Sequence, residues 1–412
     1  SYRLFILTVS ITSMTQHKIW YAPNRKQAYG EEEIQAVHDC LEDGWLAPGP
    51  RTAEFEKLCA EKFGKKLGLF VNSGSSANML AYICAGIKPG VEVITPCCTF
   101  STTVAPLVQL DADVKFCDVS PNCYVPTVDQ VLSRLSDKTK VIIVANLLGN
   151  KMDWAELKNR LVQMNRSDII LVEDSCDTMT YTEVTDISTC SFYSSHIMTC
   201  GGGGGIVMFN DPALHSRALC IRDWGRAGSN SEAFGERFNH GLIEGVEYDW
   251  KFIYCEFGYN FKATEMNAAF GLVQLKKLPS FEQKRIALFQ RYIDTLKNNE
   301  YASQYYKLPK TLVNEQILWL AMPLACPHRT QLIEYLESNQ VQTRVTMAGN
   351  ILRHPIYTKR FPEEAQLSYP VSDQVMREGF LIGCHHGLTE EDVDRVCSLL
   401  IEFAKQHLEK TA

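Results

Sequence analysis

Short apolar runs alternate with longer amphipathic stretches over the first half of the chain. Seven of these runs are rich in β-branched residues and end in small or polar residues, which is typical of strands. They lie at 68–74, 92–98, 113–119, 141–147, 169–175, 188–194 and 204–210. Because such runs are apolar on both faces and helical patterns stand between most of them, we predict an α/β fold with a mostly parallel seven-stranded sheet.

The pattern changes after residue 260. ATEMNAAFGLVQLKKL and SFEQKRIALFQRYIDTLKNN form one long helical run, which a strand-like ILWLAMPL and a helix-like TQLIEYLESN follow. We therefore expect a large domain over 14–274 and a smaller α+β domain over 275–412. Residues 1–13 precede Met14 and are an extension of unknown origin. Their apolar run is too short to cross a bilayer and shows no clear cleavage site.

Composition narrows the classes of function. The formal net charge of -7 argues against a general nucleic-acid binder or an anionic-membrane binder, so any anion site must be local. The fifteen cysteines are scattered without a CxxC pair, which indicates reduced thiols in a cytoplasmic protein. Adjacent residues such as Cys384, His385 and His386 seldom converge on one ion, and we expect no metal site.

Ligands of open α/β sheets bind beyond the carboxyl ends of the strands, so the residues at those ends are candidates. SGSSAN at 73–78 opens a helix and is either a phosphate cradle or a plain helix cap. Phe100 follows the second strand and either stacks on a planar ring or belongs to the core. Asp174 ends an apolar strand and either pairs with a protonated ring nitrogen or lies in a solvated turn.

His196 follows the sixth strand, between an aromatic-serine run and five consecutive glycines. By itself, an isolated histidine in a loop is more often structural than catalytic. In this order along the chain, however, a phosphate cradle, a stacking aromatic, a carboxylate and a polar loop are the parts that hold pyridoxal phosphate.

The residues that carry these features resemble a known family. SGSSAN, the Thr99-Phe100 pair, the Glu173-Asp174 pair and the Ser191-Phe192 pair are similar to the motifs of the sugar aminotransferases (DegT/DnrJ/EryC/StrS type), which are fold-type I pyridoxal-phosphate enzymes. The resemblance covers roughly residues 20–400. It implies that Gly74, Ser75, Phe100, Asp174 and Ser191 bind the cofactor, and that Asn260 of the GYN motif is donated by the other subunit of a homodimer.

One departure from the family pattern concerns the catalytic residue. Sugar aminotransferases carry a lysine five residues after the serine that matches Ser191, and this position is His196 here. No lysine occurs between Lys158 and Lys251, so this region cannot form the usual Schiff base. A histidine is characteristic of the branch that resembles nucleotide-sugar 3-dehydratases, as are NLLGN, VEDSCD, RDWGR and AGNILRHP.

The resemblance implies that His196 is the base in removal of the 3-hydroxyl from a nucleotide-linked 4-keto-6-deoxyhexose. Pyridoxamine phosphate would be the working cofactor, and glutamate the amino donor. An imidazole, whose ordinary pKa is about 6.5, is suited to such a proton shuttle. The alternatives are an aminotransferase-like enzyme of other specificity and a pseudoenzyme that only binds the cofactor.

Two further departures concern cluster and loop chemistry. Relatives that share RDWGR carry an iron-sulfur cluster on a cysteine-rich segment, whereas 227–231 contains no cysteine, so we expect no cluster. Gly202 stands where relatives have a glutamate. For the substrate phosphates we expect guanidinium contacts from Arg222, Arg226 and Arg353, with Asn350 beside them. For Arg222, an ion pair without a substrate contact is an equal alternative.

Overall fold

The computed structural model describes residues 17–228, 232–240 and 242–410. The predicted extension at 1–13 and Ser229, Asn230 and Ser231 of the segment after RDWGR lie outside the described residues. The main sheet consists of β1 (Leu67–Val71), β2 (Glu92–Pro96), β3 (Asp113–Cys117), β4 (Thr139–Ala145), β5 (Ile170–Asp174), β6 (Ile187–Ser191) and β7 (Gly205–Phe209). Its strand order is β1-β7-β6-β5-β4-β2-β3.

The sheet is mixed. Strands β3, β2, β4, β5 and β6 are parallel neighbours, whereas β7 is antiparallel to both β1 and β6. No helix lies between β6 and β7, so the chain turns back instead of crossing over the sheet. The predicted α/β fold with a mostly parallel seven-stranded sheet is confirmed. Each strand ends slightly earlier than predicted, because the small and polar residues after it form loops.

Helices occupy both faces of this sheet and most of the remaining chain. They are α1 (Arg25–Ala28), α2 (Glu31–Asp43), α3 (Pro50–Lys62), α4 (Gly74–Cys84), α5 (Ser101–Gln109), α6 (Val128–Leu132), α7 (Trp154–Gln163), α8 (Pro212–Arg222), α9 (Phe234–Phe238), α10 (Glu265–Asn298), α11 (Ala302–Tyr305), α12 (Arg329–Ser338), α13 (Pro355–Arg360), α14 (Pro362–Ala365), α15 (Pro370–Glu378) and α16 (Glu390–Glu409). Short 3-10 helices cover Leu147–Gly149, Trp250–Phe252 and Ile351–Arg353.

Strand β4 illustrates why its sequence is apolar throughout. Successive side chains of a strand point to opposite faces of the sheet. Val141 and Ile143 pack into the core that contains residues of α4 and α5, whereas Ile142 and Val144 pack into the core that contains residues of α7. Both faces of the sheet are therefore buried, and the carboxyl ends of its strands are left for a site.

A second, smaller sheet lies in the C-terminal part. Its strands β10 (Met322–Ala325), β11 (Thr343–Val345) and β12 (Gly379–Ile382) are antiparallel in the order β10-β12-β11. Two further short strands, β8 (Leu242–Ile243) and β9 (Val246–Glu247), form a hairpin. The core of the smaller sheet includes residues of α10, α12 and α16. Helix α10 runs without a break through residue 275, so the proposed domain boundary falls within one helix.

Two general features bear on the environment of the chain. All cysteines except Cys176, Cys220 and Cys255 are buried, and none is in a disulfide. Within the described ranges, no helix combines the length and the apolar character that are needed to cross a membrane.

Candidate active site

A cavity of about 960 Å³ lies at the carboxyl ends of the central strands, between the main sheet and the C-terminal part of the chain. Loops that follow β1, β2, β5 and β6 contribute most of its polar lining. The cavity is lined by six of the predicted site residues, which are Gly74, Ser75, Phe100, Asp174, Ser191 and His196. Residues that the sequence separates widely are therefore brought to one place by the parallel topology.

Asp174 is a buried carboxylate at the end of β5. Its Oδ2 accepts hydrogen bonds from Asn78 Nδ2 at 3.0 Å and from Thr103 Oγ1 at 2.8 Å, and its Oδ1 accepts one from the backbone N–H of Cys176 at 3.1 Å. Thr189 Oγ1 donates to Asn78 Oδ1 at 2.7 Å and so fixes the amide. All three donors to Asp174 are neutral, so the carboxylate is suited to a cationic group in the cavity. The alternative of a solvated turn is wrong.

The N-terminus of α4 is the segment predicted to be either a phosphate cradle or a helix cap. Ser73 caps the helix, because its Oγ accepts a hydrogen bond from the Ser76 N–H at 3.0 Å. A Cβ on Gly74 would lie 2.7 Å from both Cys176 Sγ and Ser191 Cβ, so only glycine fits at this position. Ser75 Oγ donates to Thr102 Oγ1 at 2.8 Å. The backbone N–H groups of this helix end are oriented to bind an anion.

Phe100 stands at the N-terminal end of α5 and is 51% exposed, although it lines the cavity. The alternative that this ring belongs to the hydrophobic core is therefore wrong. Its free face is suited to contact with a planar ring.

His196 lies in the turn that follows β6. Its backbone N–H donates to the Tyr193 carbonyl at 3.0 Å, and its own carbonyl accepts from Arg285 Nη2 at 3.4 Å. The Nδ1 atom is buried without a hydrogen-bond partner, and Nε2 is 3.8 Å from Asp177 Oδ1. Burial lowers the pKa of His196 to about 4, against the opposing effects of the Ser191 backbone and the Asp174 charge. The imidazole is therefore neutral near pH 7.

Comparison with known proteins agrees with this geometry. The sequence pattern of the DegT/DnrJ/EryC1/StrS aminotransferase family matches residues 27–401. The chain belongs to this family.

Relatives within the family include enzymes with several different names. The chain is 32% identical to the lipopolysaccharide biosynthesis protein RfbH of Salmonella typhimurium, over 92% of this chain and 91% of the relative. It is 29% identical to the GDP-4-keto-6-deoxy-D-mannose 3-dehydratase of Yersinia pseudotuberculosis, over 92% and 98%. The structure of the Escherichia coli GDP-4-keto-6-deoxy-D-mannose-3-dehydratase with bound hydrated PLP superposes with a TM-score of 0.80 at 25% identity, over 93% and 100%. The fold is thus that of the PLP-dependent aminotransferases.

In this member of the family, Arg222 is not available to a substrate. It is almost fully buried, where its Nε donates to Asp223 Oδ1 at 2.7 Å and its Nη1 donates to the Phe70 carbonyl at 3.0 Å. The expectation of a phosphate contact is corrected for this residue, because its guanidinium is used within the chain.

Arg353 and Asn350 also lie outside the cavity lining. Arg353 binds Asp373 through two hydrogen bonds, Nε to Oδ1 at 2.9 Å and Nη2 to Oδ2 at 3.0 Å, and it also donates to the Ala365 carbonyl. Asn350 Nδ2 donates to the same Asp373 Oδ1 at 2.8 Å. These two residues join the AGNILRHP segment to α15, and within one chain these contacts favour a structural role over the expected substrate contact.

Arg226 and Asn260 belong to two segments that pair with each other, and neither residue is part of the cavity lining. Asn260 forms an antiparallel bridge with Asp223, and Arg226 forms one with Tyr254. The guanidinium of Arg226 lies over the Trp224 ring, 4.4 Å from its centroid. Neither residue lines the cavity of its own chain, so a role for either one in the site needs a second copy.

Several residues of the cavity were missed by the sequence analysis. These are Tyr21, Asn78, Thr103, Asp177, Arg344 and His354. Asn78 and Asp177 stand inside the recognised motifs SGSSAN and VEDSCD and could have been included with them. Arg344 comes from β11 in the C-terminal part, and its guanidinium lies 5.1 Å from the centroid of the Tyr21 ring. No local pattern distinguishes this arginine from the others.

Proposed function

We propose that the protein removes the 3-hydroxyl from a nucleotide-linked 4-keto-6-deoxyhexose, with pyridoxal phosphate or pyridoxamine phosphate as cofactor and His196 as base. The observation that carries this proposal is a neutral imidazole in the cavity, five residues after Ser191, where the family has its lysine. Relatives named as 3-dehydratases match over nearly the whole chain, which supports the same choice of reaction.

The residues of the cavity fit the cofactor. Asp174 supplies a buried carboxylate for a protonated ring nitrogen, and Phe100 supplies an exposed ring for its face. The end of α4 supplies backbone N–H groups for the phosphate, with Ser75 and Ser191 beside them. When bound, the cofactor supplies an amino group for the keto carbon of the sugar and a ring that accepts the electrons of a broken C–H bond.

The absence of a lysine from the cavity supports non-covalent binding. No lysine of the described residues lines the cavity. Lys151, the lysine that follows β4, is held by Glu315 at 2.9 Å and by the Tyr181 carbonyl at 2.7 Å. His196 cannot form a Schiff base, so in our proposal it only accepts and returns a proton.

The second copy in our proposal is another molecule of this chain. Phe257 is completely exposed, and Phe252, Tyr254 and Tyr259 are exposed close by in the sequence. Exposed apolar side chains of this kind favour association. A homodimer that covers them would bring Asn260, and Arg226 beside it, to the cavity of the neighbour.

Glutamate is the amino donor that we propose, because pyridoxamine phosphate must be regenerated after each turnover. No iron-sulfur cluster is part of the proposed reaction. With glutamate, the reaction balances without an external reductant: the sugar loses one oxygen, and glutamate becomes 2-oxoglutarate and ammonia.

Mass spectrometry of the products tests the proposal. The purified protein is incubated with glutamate and a panel of 4-keto-6-deoxy sugars that are linked to CDP, GDP or dTDP. We expect a product that is lighter than its substrate by one oxygen atom. An amino sugar as the product would instead favour an aminotransferase, and unchanged substrates with bound cofactor would favour a pseudoenzyme.

A further inference from the structure

Asp177 is a second carboxyl in the cavity, three residues after Asp174. Its Oδ2 accepts a hydrogen bond from the backbone N–H of Leu148 at 2.8 Å, and its Oδ1 lies 3.8 Å from His196 Nε2. The side chain is only 12% exposed. Among the described residues, His196 is the one basic side chain within ion-pair distance of this carboxyl. The Leu148 contact therefore fixes one oxygen of Asp177 and leaves the other beside the imidazole.

The surroundings of the two groups act on their protonation in opposite directions. Burial, with a smaller effect of the Asp174 charge, raises the pKa of Asp177 to about 7, although the Leu148 N–H opposes the rise. Burial lowers the pKa of His196 to about 4, and the Arg285 charge lowers it further. A proton that enters the pair is therefore held better by the carboxylate than by the imidazole.

We propose that Asp177 is the proton-accepting partner of His196, so that a proton taken by the imidazole is passed to the Asp177 carboxylate and later returned through the imidazole. This inference rests on the proposed function of His196. Asp177 acts through His196 and is a positioning residue.

Asp177 compensates for the low basicity of the His196 imidazole. A base is most effective when the pKa of its conjugate acid is close to the working pH, and an isolated imidazole in this cavity is too weak. With Asp177 ionised, the pair accepts a proton near neutral pH. When His196 takes the proton of the C–H bond that is broken, the electron pair of that bond stays on the carbon. The departing 3-hydroxyl takes the C–O electron pair and recovers the stored proton as water, so the pair ends as it began.

Other ionisable groups around the pair do not replace Asp177. They are Asp174 and Cys176 on the same loop, Cys190 in β6, Tyr21 in the N-terminal segment, Arg344 over Tyr21, and Arg285 in α10. Asp174 accepts three hydrogen bonds and is the carboxylate that we propose for the ring nitrogen, and burial raises the pKa of Tyr21 and of both thiols. Arg285 opposes an imidazolium by its charge.

The distance of 3.8 Å between Nε2 and Oδ1 is longer than a direct hydrogen bond. A rotation of the imidazole or one bridging water closes this gap. Hydrogen bonds between catalytic groups often shorten only when the substrate is bound.

Asp177→Asn tests the proposal, because asparagine keeps an oxygen for the Leu148 N–H and cannot ionise. The matched control is Asp186→Asn, since Asp186 also accepts a backbone hydrogen bond, from Leu171 at 2.8 Å, but does not line the cavity. Infrared difference spectra of the cofactor-free protein, between about pH 5 and pH 9, report the C=O stretch of a protonated carboxyl without any turnover.

Burial raises the pKa of Asp177 and also that of Glu56 to about 7, so we expect the parent and Asp186→Asn to lose protonated-carboxyl bands near pH 7. In Asp177→Asn the Glu56 band should remain and the Asp177 band should be missing. Asp177→Glu, which retains a carboxyl, is expected to restore a titrating band. A spectrum of Asp177→Asn that matches the parent would contradict the proposal, whether or not the protein dehydrates sugars.

The pH dependence of the rate is the second measurement. With the parent we expect the dehydration rate to rise with pH through about pH 7, and with Asp177→Asn we expect this limb to vanish and the rate to fall at least about tenfold. Cofactor binding, followed by absorbance, should be unchanged. A variant that keeps the limb, or that loses activity only by losing the cofactor, would overturn the role of Asp177. A parent that dehydrates none of the sugars refutes the proposed function instead, and the infrared result still decides the protonation of the pair.

Discussion

Gly74 and Ser191 approach so closely that a Cβ on Gly74 would lie 2.7 Å from the Cβ of Ser191. This contact joins the start of α4 to the end of β6, which are the two segments that we propose for the cofactor phosphate. The same missing Cβ also makes room for Cys176 Sγ, on the loop that carries Asp174. Three parts of the candidate site therefore meet at one glycine.

Gly74→Ala is expected to destabilise the fold by about 1–3 kcal/mol, because the added methyl group would overlap Ser191, whose backbone is held in strand β6. Urea unfolding measures this loss, and the affinity for pyridoxamine phosphate should fall with it. Gly235→Ala is the control, since a Cβ there meets only the Asn239 side chain at an ordinary distance of 3.7 Å. Equal stability of Gly74→Ala and the parent would be inconsistent with the close approach.

After borohydride treatment and denaturation, the cofactor is expected to be released with no pyridoxyl group left on the protein. The reason is that no lysine of the described residues lines the cavity. Mass spectrometry of the peptides measures the outcome. The matched variant is His196→Lys, which places an amine at the family position and should retain a reduced pyridoxyl group on that residue. A pyridoxyl group on any lysine of the parent would show that the binding is covalent.

The stability of the cofactor-free protein should depend on pH through His196. Its pKa of about 4 in the folded state is below that of an unfolded histidine, so the unfolded chain binds more protons between these values and stability falls as the pH is lowered. Relative to His196→Asn, the parent should lose on the order of 2 kcal/mol between about pH 7.5 and pH 5. Urea unfolding at the two pH values measures the difference.

A surface histidine serves as the control for this measurement. His38→Asn changes an exposed side chain and should not alter the pH dependence. If His196→Asn and the parent lost stability in parallel on acidification, His196 would not be buried in its neutral form.

Arg344 is expected to bind an anionic group of the substrate or of glutamate. Of the described residues, it is the one arginine or lysine that lines the cavity. Arg344→Gln should raise KM at least about tenfold, since a charge-assisted hydrogen bond is lost. Arg353→Ala should instead leave KM unchanged and destabilise the fold by about 1–2 kcal/mol, because it breaks the pair with Asp373. Steady-state kinetics and urea unfolding of both variants separate the two roles.

Phe257→Asp is expected to convert a homodimer to monomers and to weaken cofactor binding, because a charge would stand on the exposed apolar face. Sedimentation velocity measures the association state. Val162→Asp is the control, since Val162 is half exposed on α7 and lies on a different element. A dimeric Phe257→Asp protein would exclude this face as the interface.

The sequence by itself determined the features that depend on short-range patterns. The seven apolar runs predicted the strands of the main sheet, because a strand that is buried on both faces needs apolar residues at every position. Gly74, Phe100, Asp174 and His196 stand at the ends of the first, second, fifth and sixth strands, and this order predicted a common site, since parallel strands present their carboxyl ends at one edge.

Only the tertiary structure decided which charged groups are free. Arg222 and Arg353 looked like substrate ligands, but folding places them beside Asp223 and Asp373. Arg344 enters the cavity from a strand of the second sheet, and no local pattern indicates this approach. The physical reason is that pairing and burial of charges depend on distances between remote segments. A sequence pattern records which residue types alternate along the chain, but not which of them meet in space.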